Sequence, residues 1–162
     1  MDQVTLKEWL TYHPDTGVFT WAKSRGQGKV QTGRQAGCLH PDGYVKIRFF
    51  DRMYRVSRLA VLYMTGELPA FVDHIDRDRS NDRWANLRVC TRSQNQFNRS
   101  KQANNTSGFK GVLWHKQARK WWARIGYAGK HRSLGLYDSP EAAAAAYVIA
   151  AKELHGSFAC TT

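Results

Sequence analysis

The chain has 162 residues and a formal net charge of +12, enough for one ordinary domain or two small ones, and a balance that favours a polyanionic partner through phosphate attraction and counterion release. No apolar run is long enough to span a bilayer, and no signal-type apolar stretch follows Met1. Cys38, Cys90 and Cys160 lack C-x-x-C spacing, which argues against a zinc site or a disulfide frame; they read as buried or incidental thiols of a reducing compartment, by default the cytoplasm. The charge is not a tail. Residues 1–100 carry 16 basic against 10 acidic side chains and residues 101–162 nine against three, a net +6 for each part, so both are expected to touch the partner.

In chain order, `GVFTW`, `GYVKIRFF` and `MYRVSRLAVLYM` read as short strands followed by a helix, punctuated by `PDTG` and `PDG` turns. `FVDHI` reads as a strand entering a loop rich in Asp, Arg and Asn, and `NLRV` as the strand that returns from it. Thr91 with Gln94 three residues on has the form of a capping box. A helix starting there carries Asn95 in its first turns, with Asn98 and Arg99 on the same general face. The polar run `SKQANNTSG` reads as a linker. Beyond it, `GVLWH`, `KWWARIGYA` and `HRSLGLY` are strand-like. `SPEAAAAAYVIAAKELHG` carries a full helix signature: Ser139 to cap, Pro140 and Glu141 in the first turn, Gly156 to stop. Its alanines suit close packing on a sheet in a unit with a thin core.

The chemistry concentrates in Val72–Arg99. Hydrolysing a phosphodiester at neutral pH needs an activated water and neutralisation of charge on the phosphate and the leaving oxygen. A hard ion such as Mg²⁺ keeps several waters and needs few protein oxygens. Asp73 offers a carboxylate, Asn95 an amide oxygen, and His74 an imidazole suited to proton transfer near neutrality. Successive residues of a regular strand face opposite ways, so Asp73 and His74 share a site only where the strand becomes irregular. A calcium-loop reading of Asp76–Asp82 fails, because Asn81 stands where the sharp-turn Gly is required and Leu87 where the bidentate Glu is required.

With `DHID` at Asp73–Asp76, `NLR` at Asn86–Arg88, then Thr91, Asn95 and Asn98, this segment resembles the HNH endonucleases, in particular the phage and intron homing type. The resemblance implies Asp73 and Asn95 as ligands of one divalent ion, Mg²⁺ or Mn²⁺. It implies His74 as the general base, Asn86 as the catalytic-motif residue that ties down the loop and keeps His74 oriented, and Arg99 as a phosphate contact. `YHPDTGVFTW`, `GYVKI` and `YRVSRLAVLYMTGELP` resemble the lead-in of many phage HNH proteins. Ser57-Arg58 departs from it, standing where relatives commonly carry His-Arg.

In the C-terminal part, basic and aromatic residues alternate along the strands. Such a narrow sheet can lie in the major groove with its other face on a helix. Alternation sets Trp121, Ala123 and Ile125 toward the helix, and Trp122 and Arg124 away from it. Trp121 and Tyr147 read as core. `FKGV`, `KWWARI` and `LGLYDSPEAAAAAYVIAAKELHG` resemble the plant APETALA2/ethylene-response-factor DNA-binding domain. That implies DNA-facing Lys110, His115, Arg124 and His131, with Lys130 and Arg132 beside the last and Trp122 on the exposed face. Leu113, Gly126 and Ser133 replace its usual Arg, Arg and Trp, so no target sequence carries over.

The expectation is an α+β protein: a lead-in over 1–69, a ββα-metal core over 70–99, a linker over 100–107, and a three-stranded antiparallel sheet packed on one helix over 108–159. It is expected to cut double-stranded DNA with one divalent ion and no small-molecule cofactor or membrane, as a monomer or weak dimer. The alternative is a non-catalytic DNA-binding or regulatory protein on a nuclease-derived scaffold.

Overall fold

A computed structural model of the chain describes residues 1–24, 30–101 and 104–161; Gln102 and Ala103 of the expected linker lie outside the described residues. By contact the chain divides into two compact units, Met1–Thr91 and Arg92–Thr162.

The first unit begins with α1 (Gln3–Trp9), capped by the Asp2 carboxylate accepting from Thr5 N. A hairpin follows, β1 (Leu10–His13) on β2 (Val18–Trp21), closed at the `PDTG` turn and extended by β3 (Gln35–Ala36). A second sheet joins β4 (Cys38–Leu39), β5 (Val45–Phe49) and β6 (Arg52–Arg55). α2 (Val56–Thr65) runs from it and ends at Gly66, whose φ of 84° is a left-handed stop. Leu6, Leu10, Phe19, Ile47, Leu59 and Leu62 form the buried centre under these elements. Ser57 in α2 is buried as well, 2% exposed, and Arg58 Nε donates to the Pro69 carbonyl at 2.7 Å, which anchors the segment leading into the next strand. That strand, β7 (Val72–His74), pairs antiparallel with β8 (Leu87–Val89).

In the second unit α3 (Arg92–Phe97) precedes a sheet of β9 (Val112–His115), β10 (Lys120–Tyr127) and β11 (Lys130–Tyr137), ordered β11-β10-β9, with α4 (Pro140–His155) packed across it. The start of α4 follows the sequence signature: Ser139 Oγ accepts from Ala142 N at 3.1 Å, with Pro in the first turn. Ala143, Ala150 and Ala151 are buried, and these short side chains bring the helix backbone close to Val112, Ala123 and Ile125. Tyr147 is buried and Trp121 packs against the core, on the helix-facing side expected of them.

Two boundaries differ from the sequence reading. α3 ends at Phe97, so Asn98 and Arg99 follow the helix instead of sharing its face. The Lys110 ammonium donates to the carbonyls of Phe97 and Arg99, which ends the helix there, while the Phe97 ring stacks on His155 at 3.8 Å. These contacts group α3 with the second unit. The described part of the expected linker is an ordered turn: Asn105 Nδ2 donates to Phe109 O, and Ser107 Oγ to Val112 O, each at 2.8 Å. Short polar side chains bond readily to nearby backbone, and here they fix the entry to β9.

Gly111 marks the tightest packing of this unit. Its φ is 73°, and a Cβ there would lie 2.2 Å from Tyr147 Cδ2 and 2.7 Å from the Arg124 carbonyl oxygen. Gly111→Ala is expected to destabilise the protein by roughly 2–4 kcal/mol, from overpacking plus backbone strain; denaturant unfolding of the two proteins measures it.

Candidate active site

β7 and β8 position the acidic and imidazole side chains of the `DHID` stretch. Their register opposes Asp73 to Arg88 and His74 to Leu87, and pairing stays regular through His74. Alternation therefore sends Asp73 and His74 to opposite faces, and the irregularity expected at this pair begins only after His74. All three β7 residues are buried. Asp73 Oδ2 accepts from Arg88 Nε at 2.8 Å and from Nη2 at 2.6 Å. The carboxylate thus already neutralises one cation.

His74 opens a loop that returns at Asn86, and Asn86 stitches it shut. Its Oδ1 accepts from Asp76 N at 3.0 Å, and its Nδ2 donates to Asp76 Oδ1 at 2.9 Å and to Asn81 O at 2.8 Å. The Ile75 backbone N–H donates to the Asn86 carbonyl at 2.9 Å. Asn81 adds its own amide to Asp76 Oδ2 at 2.6 Å. Burial works to raise the Asp76 carboxyl, but the bonds from Asn81 and Asn86 prevail and hold it below its ordinary value.

The loop delivers Asp82 to His74. Asp82 Oδ1 lies 2.9 Å from His74 Nε2, with the two side chains 2% and 4% exposed. Burial lifts the Asp82 carboxyl above the usual range, offset in part by the hydrogen bond to His74. Its Oδ2 has no hydrogen-bond partner among the described residues, which costs about 1–3 kcal/mol. The β1–β2 hairpin braces this point. Tyr12 OH donates to the Asp82 carbonyl at 2.7 Å, and burial keeps that phenol protonated by pushing it well above its ordinary value. Trp84 N donates to Pro14 O at 3.0 Å. A Cβ on Gly17 would sit 2.4 Å from the Asp82 carbonyl carbon, so the `PDTG` turn touches the loop through a residue with no side chain.

A cationic rim lies beside the imidazole. The Tyr44 ring is 6.0 Å from that of His74; the Arg55 guanidinium stands over Tyr44 at 3.9 Å and that of Arg79 at 5.1 Å. Arg79 Nη1 donates to the Asp42 carbonyl at 2.9 Å. The sequence reading missed Tyr12, Tyr44, Arg55, Arg79 and Asp82; the `YHPDTGVFTW`, `GYVKI` and `YRVSRLAVLYMTGELP` matches and the arginines of the loop were signals that pointed to some of them.

The remaining candidates belong to the second unit. Asn95 is half-buried on α3. Arg99, Lys101, Lys110, Arg124 and His131 line a cleft of about 810 Å³ beside Tyr147. Trp122 Nε1 donates to Ser133 Oγ at 2.8 Å, with Arg124 5.3 Å above its ring and His115 against its edge at 6.0 Å. The β10–β11 register separates the basic residues of β11. His131 pairs with Gly126, on the face of Arg124, whereas Arg132 pairs with the buried Ile125 and Lys130 with Tyr127. Alternation turns Lys130 and Arg132 toward the opposite side from His131.

Residues 54–97 match an HNH endonuclease family profile, a span that runs from β6 through the `DHID` strand and its loop to the end of α3. Protein 3.8 of Escherichia phage T7 is 36% identical over 89 residues, which cover 55% of this chain and 73% of that protein. Residues 54–97 thus form an HNH endonuclease segment of the chain. An uncharacterized HNH endonuclease of Acanthamoeba polyphaga mimivirus is 34% identical over 123 residues, 75% of this chain and 63% of its own length. Among solved structures, the HNH homing endonuclease I-HmuI superposes loosely, with a TM-score of 0.45 and 21% identity over 96% of this chain and 90% of its own. The family match stops short of β9–β11 and α4, and it includes every residue of the Asn86-stitched loop.

Asn86→Ala removes three bonds at once. It is expected to lower stability by about 1–3 kcal/mol and to loosen His74, with faster amide exchange across residues 75–86 than in the wild type. Hydrogen exchange read by mass spectrometry checks this.

Proposed function

We propose that this HNH endonuclease hydrolyses phosphodiester bonds of double-stranded DNA with one divalent ion, and that its second unit holds the duplex. The observation that carries the reading is His74, fixed at the mouth of a loop closed by Asn86, with an acidic residue before it and arginines around it. His74 accepts a proton from the attacking water. Asn86 holds the loop that sets its position, and Arg55 and Arg79 offer positive charge to the phosphates on either side of the cut.

The donor chemistry fits a hard ion, Mg²⁺ or Mn²⁺. By the motif, Asp73 supplies a carboxylate, although the regular pairing of β7 turns it to the face away from His74 and onto Arg88, and Asn95 an amide oxygen; such a set leaves further positions to water and phosphate. Among the described residues no group of three or more His, Cys, Asp and Glu converges, and the set argued here needs none. When bound, the ion offsets charge on the phosphate and the leaving oxygen. Arg88 then shares Asp73 or yields it.

The second unit resembles a sheet-type DNA-binding domain, and we assign its cationic cleft and the face of Trp122, Arg124 and His115 to the duplex. Lys110 acts there in part by holding the end of α3, Arg99 and His131 by their place in the cleft, and Lys130 and Arg132 by general attraction from the far side of β11. Joining a weak binder to a catalytic unit raises the effective concentration of DNA at that unit, so neither part needs high affinity. No helix among the described residues is long and apolar enough to cross a membrane. We propose a monomer or weak dimer acting in the cytoplasm.

Supercoiled plasmid tests the reading. Wild type with Mg²⁺ is expected to yield open-circle or linear product, absent with chelator and reduced by about 10²–10⁴-fold in His74→Ala, while gel-shift affinity stays unchanged. Metal-independent cutting, or full activity in His74→Ala, contradicts it. Arg124→Ala is expected to weaken binding and to flatten the dependence of log K on log salt by up to about one unit, read from binding titrations at several ionic strengths.

A further inference from the structure

We infer that Asp82 is a positioning residue for catalysis: its carboxylate accepts the Nε2 proton of His74, fixes the imidazole as the Nε2–H tautomer, and so assigns the basic lone pair to Nδ1. The inference rests on His74 being the general base, and it names what sets the state of that base.

The geometry is specific. Asp82 Oδ1 and His74 Nε2 are 2.9 Å apart inside the protein, and the two side chains are almost fully buried. With the carboxylate ionised there is no proton on Asp82 to give, and the nitrogen facing it is then the donor. A neutral imidazole has one N–H, and the hydrogen bond made by one ring nitrogen decides which nitrogen is basic. Asp82 is also held from three directions. The Tyr12 hydroxyl bonds its carbonyl, its backbone N–H donates to Ser80 O at 3.1 Å, and the Gly17 backbone packs on it so closely that a Cβ would collide. Residues from the first hairpin and from the loop thus converge on the residue whose carboxylate bonds His74.

Stability alone is a poor account of this residue. A buried carboxylate carries a desolvation penalty that one hydrogen bond offsets incompletely, and an apolar side chain of similar size packs without it. Asp82 Oδ2 remains without a hydrogen-bond partner among the described residues. A costly buried group, braced from several sides and aimed at the one imidazole of the motif, is what orientation of that imidazole requires.

The test has a spectroscopic arm and a kinetic arm, both on the full chain. Long-range ¹H–¹⁵N correlation spectra, recorded where imidazole is neutral, distinguish the two tautomers of His74. The wild type is expected to show Nε2–H. Asp82→Asn keeps the shape but offers an amide donor, and is expected to move His74 toward Nδ1–H. Its cleavage rate at saturating plasmid should fall by about 10²–10⁴-fold with the half-saturating DNA concentration unchanged. A wild type in the Nδ1–H form overturns the proposal, and this spectrum decides even when Asp82→Asn does not fold. A folded Asp82→Asn that cuts at the wild-type rate overturns it as well. His74→Ala separates the two readings. Full activity in that variant removes the base assignment and the proposal with it; an inactive His74→Ala beside a fully active Asp82→Asn removes the proposal alone.

Discussion

A primary carboxamide has two N–H donors and one strongly accepting oxygen, and Asn86 uses all of them to close the loop between β7 and β8 on itself. Much of the candidate site depends on that closure. β7 and β8 pair over only three residues each, too few to hold the polar loop in place by ladder bonds. The loop carries no apolar core of its own, and its exposed Asp76 and Asp78 spend their carboxylates on nearby N–H and O–H donors. With the loop closed, Asp82 arrives beneath the His74 ring and the Arg79 guanidinium beside Tyr44.

The first hairpin turns a closed loop into a rigid one. Tyr12, Pro14 and Gly17 meet the loop backbone at Asp82 and Trp84, and each contact suits a backbone partner: a hydroxyl donor, a carbonyl acceptor and a residue without a side chain. Two buried polar pairs stand on this frame, Asp73 with Arg88 and Asp82 with His74. Such pairs seldom repay their desolvation as stability. Placed next to one another on an HNH strand, they keep a carboxylate and an imidazole in defined states inside a protein whose overall charge is strongly positive.

The second unit solves a different problem. A sheet and a single helix enclose little volume, and the alanines of α4 together with Gly111 let backbone approach backbone where larger side chains would hold the layers apart. The economy frees the other face of the sheet for Trp122, Arg124, His115 and His131. Lys110 turns inward to the carbonyls of Phe97, the last residue of α3, and of Arg99 just beyond it: a helix of six residues has most of its carbonyls unpaired, and the ammonium satisfies one of them.

Features governed by neighbouring residues were legible in the sequence. The Ser139 cap and Pro140 start of α4, the `PDTG` turn, the alternation that buries Ala123 and Ile125, and the `DHID`–`NLR` spacing all follow from contacts a few residues apart, where residue type and period decide the outcome. α1 escaped because one carboxylate cap and a short apolar pattern are weak signals in a helix of two turns. The end of α3, the opposite faces taken by Lys130 and His131, and the capture of Asp73 by Arg88 depend on partners that only strand register and packing bring close. Asp82 is the clearest case. In the sequence it is one acid among three in a polar loop, and its meeting with Tyr12 spans 70 positions. The sequence by itself determined which chemical groups the site owns and the turns that carry them. Tertiary structure alone decided which carboxylate faces a cation and which faces the imidazole, because that choice is made by burial and by the approach of a distant hairpin.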